Sequence, residues 1–316
     1  MHTHTTKQKA TTMQHLPKYN HELEINHKPI LEWFSRNHRT PEGRAMYNAM
    51  YAVFVRISQR LGGGLEPFLY TKQADTAKTD LNTSTVYEQV IRYLMAANRS
   101  GLINLCPHST PECRAGCLGH TSGRLQFKGQ QLAQYIRTVL YVENPLAFHI
   151  IEIDEIARHA RRVNRKGFEL VSRPNGTSDN EYETMPWLLD CWERVGLAVA
   201  YDYTANHARK RGWQDVGSML PYHVTHSTKE RNHPNSVKPG SYTVVAIKKG
   251  VPVPATYNGY PVEDGDKGDM RFLDRPGHVT LGRAKGALKK VEGKADGFVK
   301  PASHKHNARR LALVSA

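Results

Sequence analysis

The sequence predicts an α/β protein with a mostly parallel sheet, a partial or complete (β/α) barrel, carrying an N-terminal helical region and disordered basic tails. Three observations carry this. From residue 101 onward, short apolar runs alternate with helical stretches, which is the pattern of parallel strands joined by crossovers. Most of those runs are followed at once by a polar cluster, as where strand ends share a rim. The chain has 316 residues, enough for a full core, yet only 39% are hydrophobic, against ~45–50% in an average globular chain. The shortfall assigns part of the length to polar tails.

Taken in order, residues 1–28 form a polar, His-dotted segment without periodicity, expected to be a disordered tail. They contain no apolar run of the kind a secretory leader needs, so a cytoplasmic protein in the host cell is expected. Residues 29–100 form the helical N-terminal region. Over 30–61, Tyr47, Met50, Tyr51, Phe54 and Ile57 recur at helical spacing. Thr40-Pro41 supplies a cap and a first-turn proline, and Gly62-Gly63-Gly64 stops the helix. A second helix is expected over 84–98, with Val86, Val90, Ile91, Tyr93 and Leu94 inward.

Residues 101–285 form the barrel-like domain. Its expected strands are the runs at 102–105, 168–171, 197–201, 222–225, 242–247 and 278–281. A helix over 146–166 buries Phe148, Ile151, Ile156 and Val163, with acids early and bases late, as the helix dipole favours. Residues 240–281 show little helix, so part of the sheet is expected to be irregular or antiparallel. Residues 286–316 form the basic C-terminal tail.

Charge limits the partners. There are 44 Lys+Arg against 29 Asp+Glu, a formal net charge of +15, which excludes an acidic protein and favours an anionic partner such as nucleic acid. From 282 to the end, nine bases face two acids, so this segment with the basic surface would make the phosphate contacts. No run approaches the ~18 apolar residues of a membrane helix, and no membrane partner is expected.

The chemistry concentrates after the strands. Three of the four cysteines lie within twelve residues, Cys106, Cys113 and Cys117, spaced C-x6-C-x3-C. Thiols grouped like this in a chain of this kind read as metal ligands before disulfides, although reduced structural or redox thiols satisfy the same spacing. A fourth ligand could be His108, His120, a distant residue, or nothing from the protein. Three thiolates and a vacancy would make a reactive centre, either an iron–sulfur cluster with one open iron or a zinc holding water. Cys191 lies in the apolar run Leu188-Leu189-Asp190-Cys191-Trp192 and reads as a buried small residue.

The other clusters supply polar groups. Asn175, Ser178, Thr204, Asp264 and Asp266 are candidate cofactor-binding residues. Asp179, Asp202 and Lys285 are candidate catalytic residues. Ordinary turn and cap roles fit several of them equally. No Walker loop, G-x-G-x-x-G or G-x-S-x-G elbow occurs.

The motif order resembles a known family. Cys106-Pro…Cys113…Cys117 is followed by Asn175-Gly-Thr-Ser178-Asp179, Tyr201-Asp202-Tyr203-Thr204, Asp264-Gly-Asp266…Asp269…Arg271, and Gly282-Arg-Ala-Lys285-Gly286. This order is similar to that of the uncharacterised phage gene product 88 family, over about residues 100–300. The resemblance implies a phage- or plasmid-encoded protein and transfers no catalytic residue. A more distant similarity, three cysteines after the first strand of a (β/α) barrel, is to radical S-adenosylmethionine enzymes. It implies an iron–sulfur cluster with S-adenosylmethionine. The spacing here departs from the C-x3-C-x2-C of those enzymes, and zinc is the alternative metal.

Two functions follow as expectations. One is a metal enzyme acting on a nucleotide or nucleic acid. The other is a nucleic-acid-binding accessory protein of a mobile element, with a structural metal or none. A host protein is a third class of partner that nothing in the sequence addresses.

Overall fold

Two helices open the described chain where the periodicity predicts one: α1, Lys28–Asn37, and α2, Pro41–Arg60. In the computed structural model, which describes residues 27–72, 86–121, 123–232, 234–248 and 250–302, the break falls at His38-Arg39. Thr40 caps α2 by accepting the Gly43 N–H at 3.1 Å, and Pro41 fills the first helical position. A Cβ at Gly43 would stand 1.9 Å from the Asn37 carbonyl, so only glycine lets the second helix start this close to the first.

Within the expected helix over 84–98, residues 87–92 form a strand instead. Strand β1, Tyr70–Lys72, pairs antiparallel with β2, Tyr87–Arg92. In β2, Val90 and Ile91 are both buried because the strand lies inside the sheet, so it lacks the alternation that marks a half-exposed strand. The run 102–105 forms no strand; Ile103 and Leu105 instead enter the core from an irregular loop.

The remaining strands follow the apolar runs: β3, Glu169–Arg173; β4, Leu197–Thr204; β5, Gly212–Gln214; β6, Tyr222–Ser227; β7, Ser241–Val245; β8, Thr256–Tyr257; β9, Tyr260–Asp264; and β10, Val279–Arg283. Their order is β1-β2-β3-β4-β6-β7-β10-β9-β8, with β5 attached to β6. All pairings from β2 through β9 along this path are parallel; β1, β5 and β8 add antiparallel pairs. The sheet's two ends do not pair among the described residues, so the complete barrel is not formed. Closure would need β1 or β2 to meet β8 or β9.

Helices cover the β2–β4 half of one face. Between β2 and β3 run α3, Pro111–Ala115; α4, Leu118–Thr121; α5, Lys128–Glu143; and α6, Pro145–Asn164. Helix α7, Pro186–Arg194, links β3 to β4. The α6 residues Phe148, Ile151, Ile156 and Val163 are all fully buried, as expected, in the main core with Leu170 and Leu197. This helix also buries acids, each with partners. Glu152 pairs with Arg92 and with His149, and Glu155 accepts the Leu69 and Tyr70 N–H groups at 2.9 Å. On the opposite face, Val171, Val199 and Tyr201 are covered by Met270 and Phe272 of an irregular segment. The chain past β10 remains attached to the sheet: Lys300 N–H donates to Val244 at 2.8 Å, and Lys300 C=O accepts from Ala246 at 3.0 Å. Residues 1–26 and 303–316, which hold most of the expected N-terminal tail and the end of the basic one, lie outside the described residues.

Candidate active site at the carboxyl ends of the parallel strands

The site is built from loops that leave β2, β3, β4 and β6 at the same edge. Cys106, Cys113 and Cys117 line one cavity of about 450 Å³, together with Thr177, Ser178, Asp179, Thr204, Ser227 and Lys229. An adjoining cavity of about 420 Å³ shares Cys113, Cys117, Ser178, Tyr203, Ser227 and Lys229 with it. It continues to Asn175, Lys285 and Asp269.

Each thiol is placed by local structure. Cys106 N–H donates to the Asn104 side chain at 3.1 Å, a tight turn, and its thiol donates to the Thr177 carbonyl at 3.4 Å. Cys113 sits on α3, whose first turn is capped from another strand. Glu230, beyond β6, accepts from the Glu112 N–H at 2.9 Å and from the Thr110 hydroxyl. Cys117 heads α4 and accepts the Thr121 N–H at 3.2 Å through its carbonyl. Burial raises the Cys106 thiol above its ordinary range, with Asp179 as the next cause. Burial also raises Cys117, and the neighbouring Cys113 adds to it. Thiols held this close resist joint ionisation, so a cation that binds them must displace protons.

The Asn175–Asp179 loop is a fixed wall. Asn175 donates its side-chain amide to Asp202 at 2.6 Å and to the Asn180 carbonyl at 2.7 Å. Its oxygen accepts from Ser178 at 2.7 Å and from the Asn180 N–H at 3.1 Å. Gly176 donates to the Arg92 carbonyl at 2.9 Å, and a Cβ there would stand 2.4 Å from that same oxygen. Asp179 accepts from the Ala205 N–H at 2.9 Å and pairs with Arg209 at 2.9 Å. Asp202 lies fully buried under Asn175, hydrogen-bonded to Tyr222, and burial pushes it up to about 7 against the pull of Arg209.

Of the sequence candidates, the structure brings Cys106, Cys113, Cys117, Ser178, Asp179 and Thr204 round the thiol cavity. Asn175 and Lys285 line the adjoining one. Asp202 lines neither cavity and holds Asn175. Asp264 and Asp266 also lie off the thiol cavity, held by Arg283 at 2.9 and 3.1 Å, and Lys285 pairs with Asp266 at 2.7 Å. Cys191 is fully buried in the main core, as expected. Two further lining residues, Lys229 and Arg173, were not among the sequence candidates, although Arg173 opens the polar cluster after its strand. Arg173 ends β3, pairs with Asp269 and lies over the Tyr203 ring, 5.4 Å from its centroid. Lys229 follows the β6 rim cluster by two residues, and the sequence signal stopped at Ser227.

The donor type fits a thiolate centre. Three soft sulfurs line one cavity, and the His120 Nδ1 beside them is buried without a hydrogen-bond partner among the described residues. As the side chains stand, no group of three His, Cys, Asp or Glu among the described residues is arranged to hold an ion. Convergence on one ion therefore requires the thiol side chains to rotate from these positions.

Fold and site together define a mostly parallel α/β protein with a thiol-lined cleft at the strand ends. The chain belongs to the gene product 88 family, whose model matches residues 67–306. No curated protein and no solved structure matches it. Among the described residues, no helix is long and apolar enough to cross a membrane.

Proposed function

We propose that this is a phage- or plasmid-encoded metal enzyme of the host cytoplasm, working at the cleft where β2, β3, β4 and β6 end. In this reading Cys106, Cys113 and Cys117 hold an iron–sulfur cluster, in the manner of a radical S-adenosylmethionine-like enzyme. One observation carries it. Cysteines from three successive turns of one loop line a single cavity with residues of three other strand ends. Such convergence is how open parallel sheets assemble reactive sites. The sequential parallel order from β2 to β7 supports an arc of (β/α) barrel type.

A bound cluster would supply electron transfer at an iron the protein leaves open. The chain's own residues do the rest. The Thr177 carbonyl accepts a hydrogen bond from the Cys106 thiol and so fixes its position, and Asp179, locked by Arg209 and Ala205, presents a fixed acidic wall. Ser178 and Thr204 orient a small molecule, and the net charge of +15 draws a nucleotide or nucleic acid. Anaerobic purification with iron and sulfide analysis tests this, and a colourless protein holding neither refutes it.

The unpartnered His120 Nδ1 favours a second reading. With His120 as fourth ligand, the same thiols would close a structural zinc site in a nucleic-acid-binding accessory protein. One zinc per chain without sulfide, and gel-shift affinity that falls steeply with salt, would select it.

A further inference from the structure

We propose that the cleft beside the thiols is built to bind an oxyanion, a phosphate or carboxylate on a small molecule, with Lys229 as the residue that recognises it. This rests on the reading of the cleft as the functional site and names the ligand class it takes.

Lys229 is 5% exposed, yet its side chain lines both cavities. Among the described residues no carboxylate comes within ion-pair distance of it. The neighbouring acid, Glu230, is turned away and engaged with Thr110 and Glu112. The ammonium donates one hydrogen bond, to Ser227 Oγ at 3.0 Å, and lies 5.0 Å from the centre of the Phe298 ring. Among the described residues, two of its three N–H groups therefore have no acceptor, and Ser227, acting as acceptor, keeps its own O–H to donate.

The backbone around it is rigid. Lys229 N–H donates to the Asn232 side chain at 2.7 Å, and Lys229 C=O accepts the Lys300 ammonium at 3.1 Å. A nearly buried ammonium without a counter-ion is unfavourable in a closed interior, and is stable where an anion or solvent completes its shell. Other cations of the adjoining cavity are already paired: Arg173 with Asp269, Arg283 with Asp264, and Lys285 with Asp266. Those pairs hold the walls, and among the described residues of the adjoining cavity Lys229 is the cation without a carboxylate partner. The carboxylate of the adjoining cavity, Asp269, is held by Arg173 and Tyr203, and Asp179 of the thiol cavity is held by Arg209.

The test is calorimetric titration of the full chain with inorganic phosphate, pyrophosphate and citrate at fixed ionic strength. Saturable binding is expected for at least one of them, weakened about tenfold or more by Lys229→Met and several-fold by Ser227→Ala. Phosphates binding without citrate assigns a phosphorylated ligand; citrate alone assigns a carboxylate. No saturable binding, or equal affinity in wild type and both variants, overturns the proposal. Should Lys229→Met fail to fold by circular dichroism, Ser227→Ala still decides. Calorimetry reads the anion whatever the metal content, and iron and sulfide analysis reads the centre whatever anion is present. Failure of one reading is thus distinct from failure of the other.

Discussion

The amide of Asn175 donates to the carboxylate of Asp202 at 2.6 Å, and this contact ties the loop after β3 to strand β4. Asp202 is fully buried, and burial raises it from 3.8 to about 7. A carboxyl raised in this way binds its proton more tightly folded than unfolded. Its contribution is fully present below the unfolded value and is lost as pH rises toward 7. Wild type should therefore lose stability relative to Asp202→Asn between pH 4.5 and 7.5. The change is on the order of 2–4 kcal/mol at about 1.4 kcal/mol per unit. Denaturant melts of both proteins at the two values measure it, and parallel stabilities would refute the assignment.

Gly176 sits where β2 and the Asn175 loop touch. A methyl group there would meet the Arg92 carbonyl at 2.4 Å and the Ile91 side chain at 2.7 Å. Gly176→Ala should cost about 1–3 kcal/mol, the usual penalty of overpacking. It should also displace the Thr177–Asp179 wall, so metal binding should weaken in step. Thermal melts and metal titration on one preparation check both outcomes.

Arg92 and Glu152 form an ion pair with both side chains fully buried, and Glu152 also takes hydrogen bonds from Tyr70 at 3.0 Å and contacts His149 at 2.7 Å. Glu152→Ala strands a buried guanidinium, and should cost about 3–5 kcal/mol. Arg92→Met with Glu152→Ala should cost less than the sum of the single changes. Additive losses in urea melts would show that the two groups act independently.

These residues mark how far the sequence could be read. Strands β3, β4, β6, β7 and β10 were legible because each is a short apolar run bounded by turn residues. Strand β2 was not. Val86, Val90, Ile91, Tyr93 and Leu94 fit a helical spacing, and an interior strand lacks the alternation that would have corrected it. The loop 102–105 looked like a strand because its apolar residues enter the core without sheet partners. At the site, the cysteines were legible from their close spacing, and Ser178, Asp179 and Thr204 as polar groups at or just after strand ends. Asp264 and Asp266 carried the same signature, but nothing local reveals that Arg283 and Lys285 take them. Lys229 was invisible because a lone lysine in a basic chain looks solvated until its burial is known.

Glu230 holds the start of α3, the helix that carries Cys113, from the far side of the cleft. Glu230→Ala should cost about 0.5–2 kcal/mol, as for the loss of a helix cap. It should weaken metal binding through Cys113 while leaving the far-ultraviolet circular dichroism spectrum unchanged. Competition with a chelator, run on wild type and variant, is the readout. Unchanged metal affinity would separate the cap from the centre.

The most direct measurement is the iron and acid-labile sulfide content of the chain purified without oxygen, beside the Cys106→Ser, Cys113→Ser and Cys117→Ser variants and a Cys191→Ala control. A coloured wild type and control with ~4 iron and ~4 sulfide per chain, most of it lost in each serine variant, is the predicted result. Colourless wild type without iron or sulfide, or metal retained when any of the three thiols is removed, would contradict the assignment of these sulfurs to one centre.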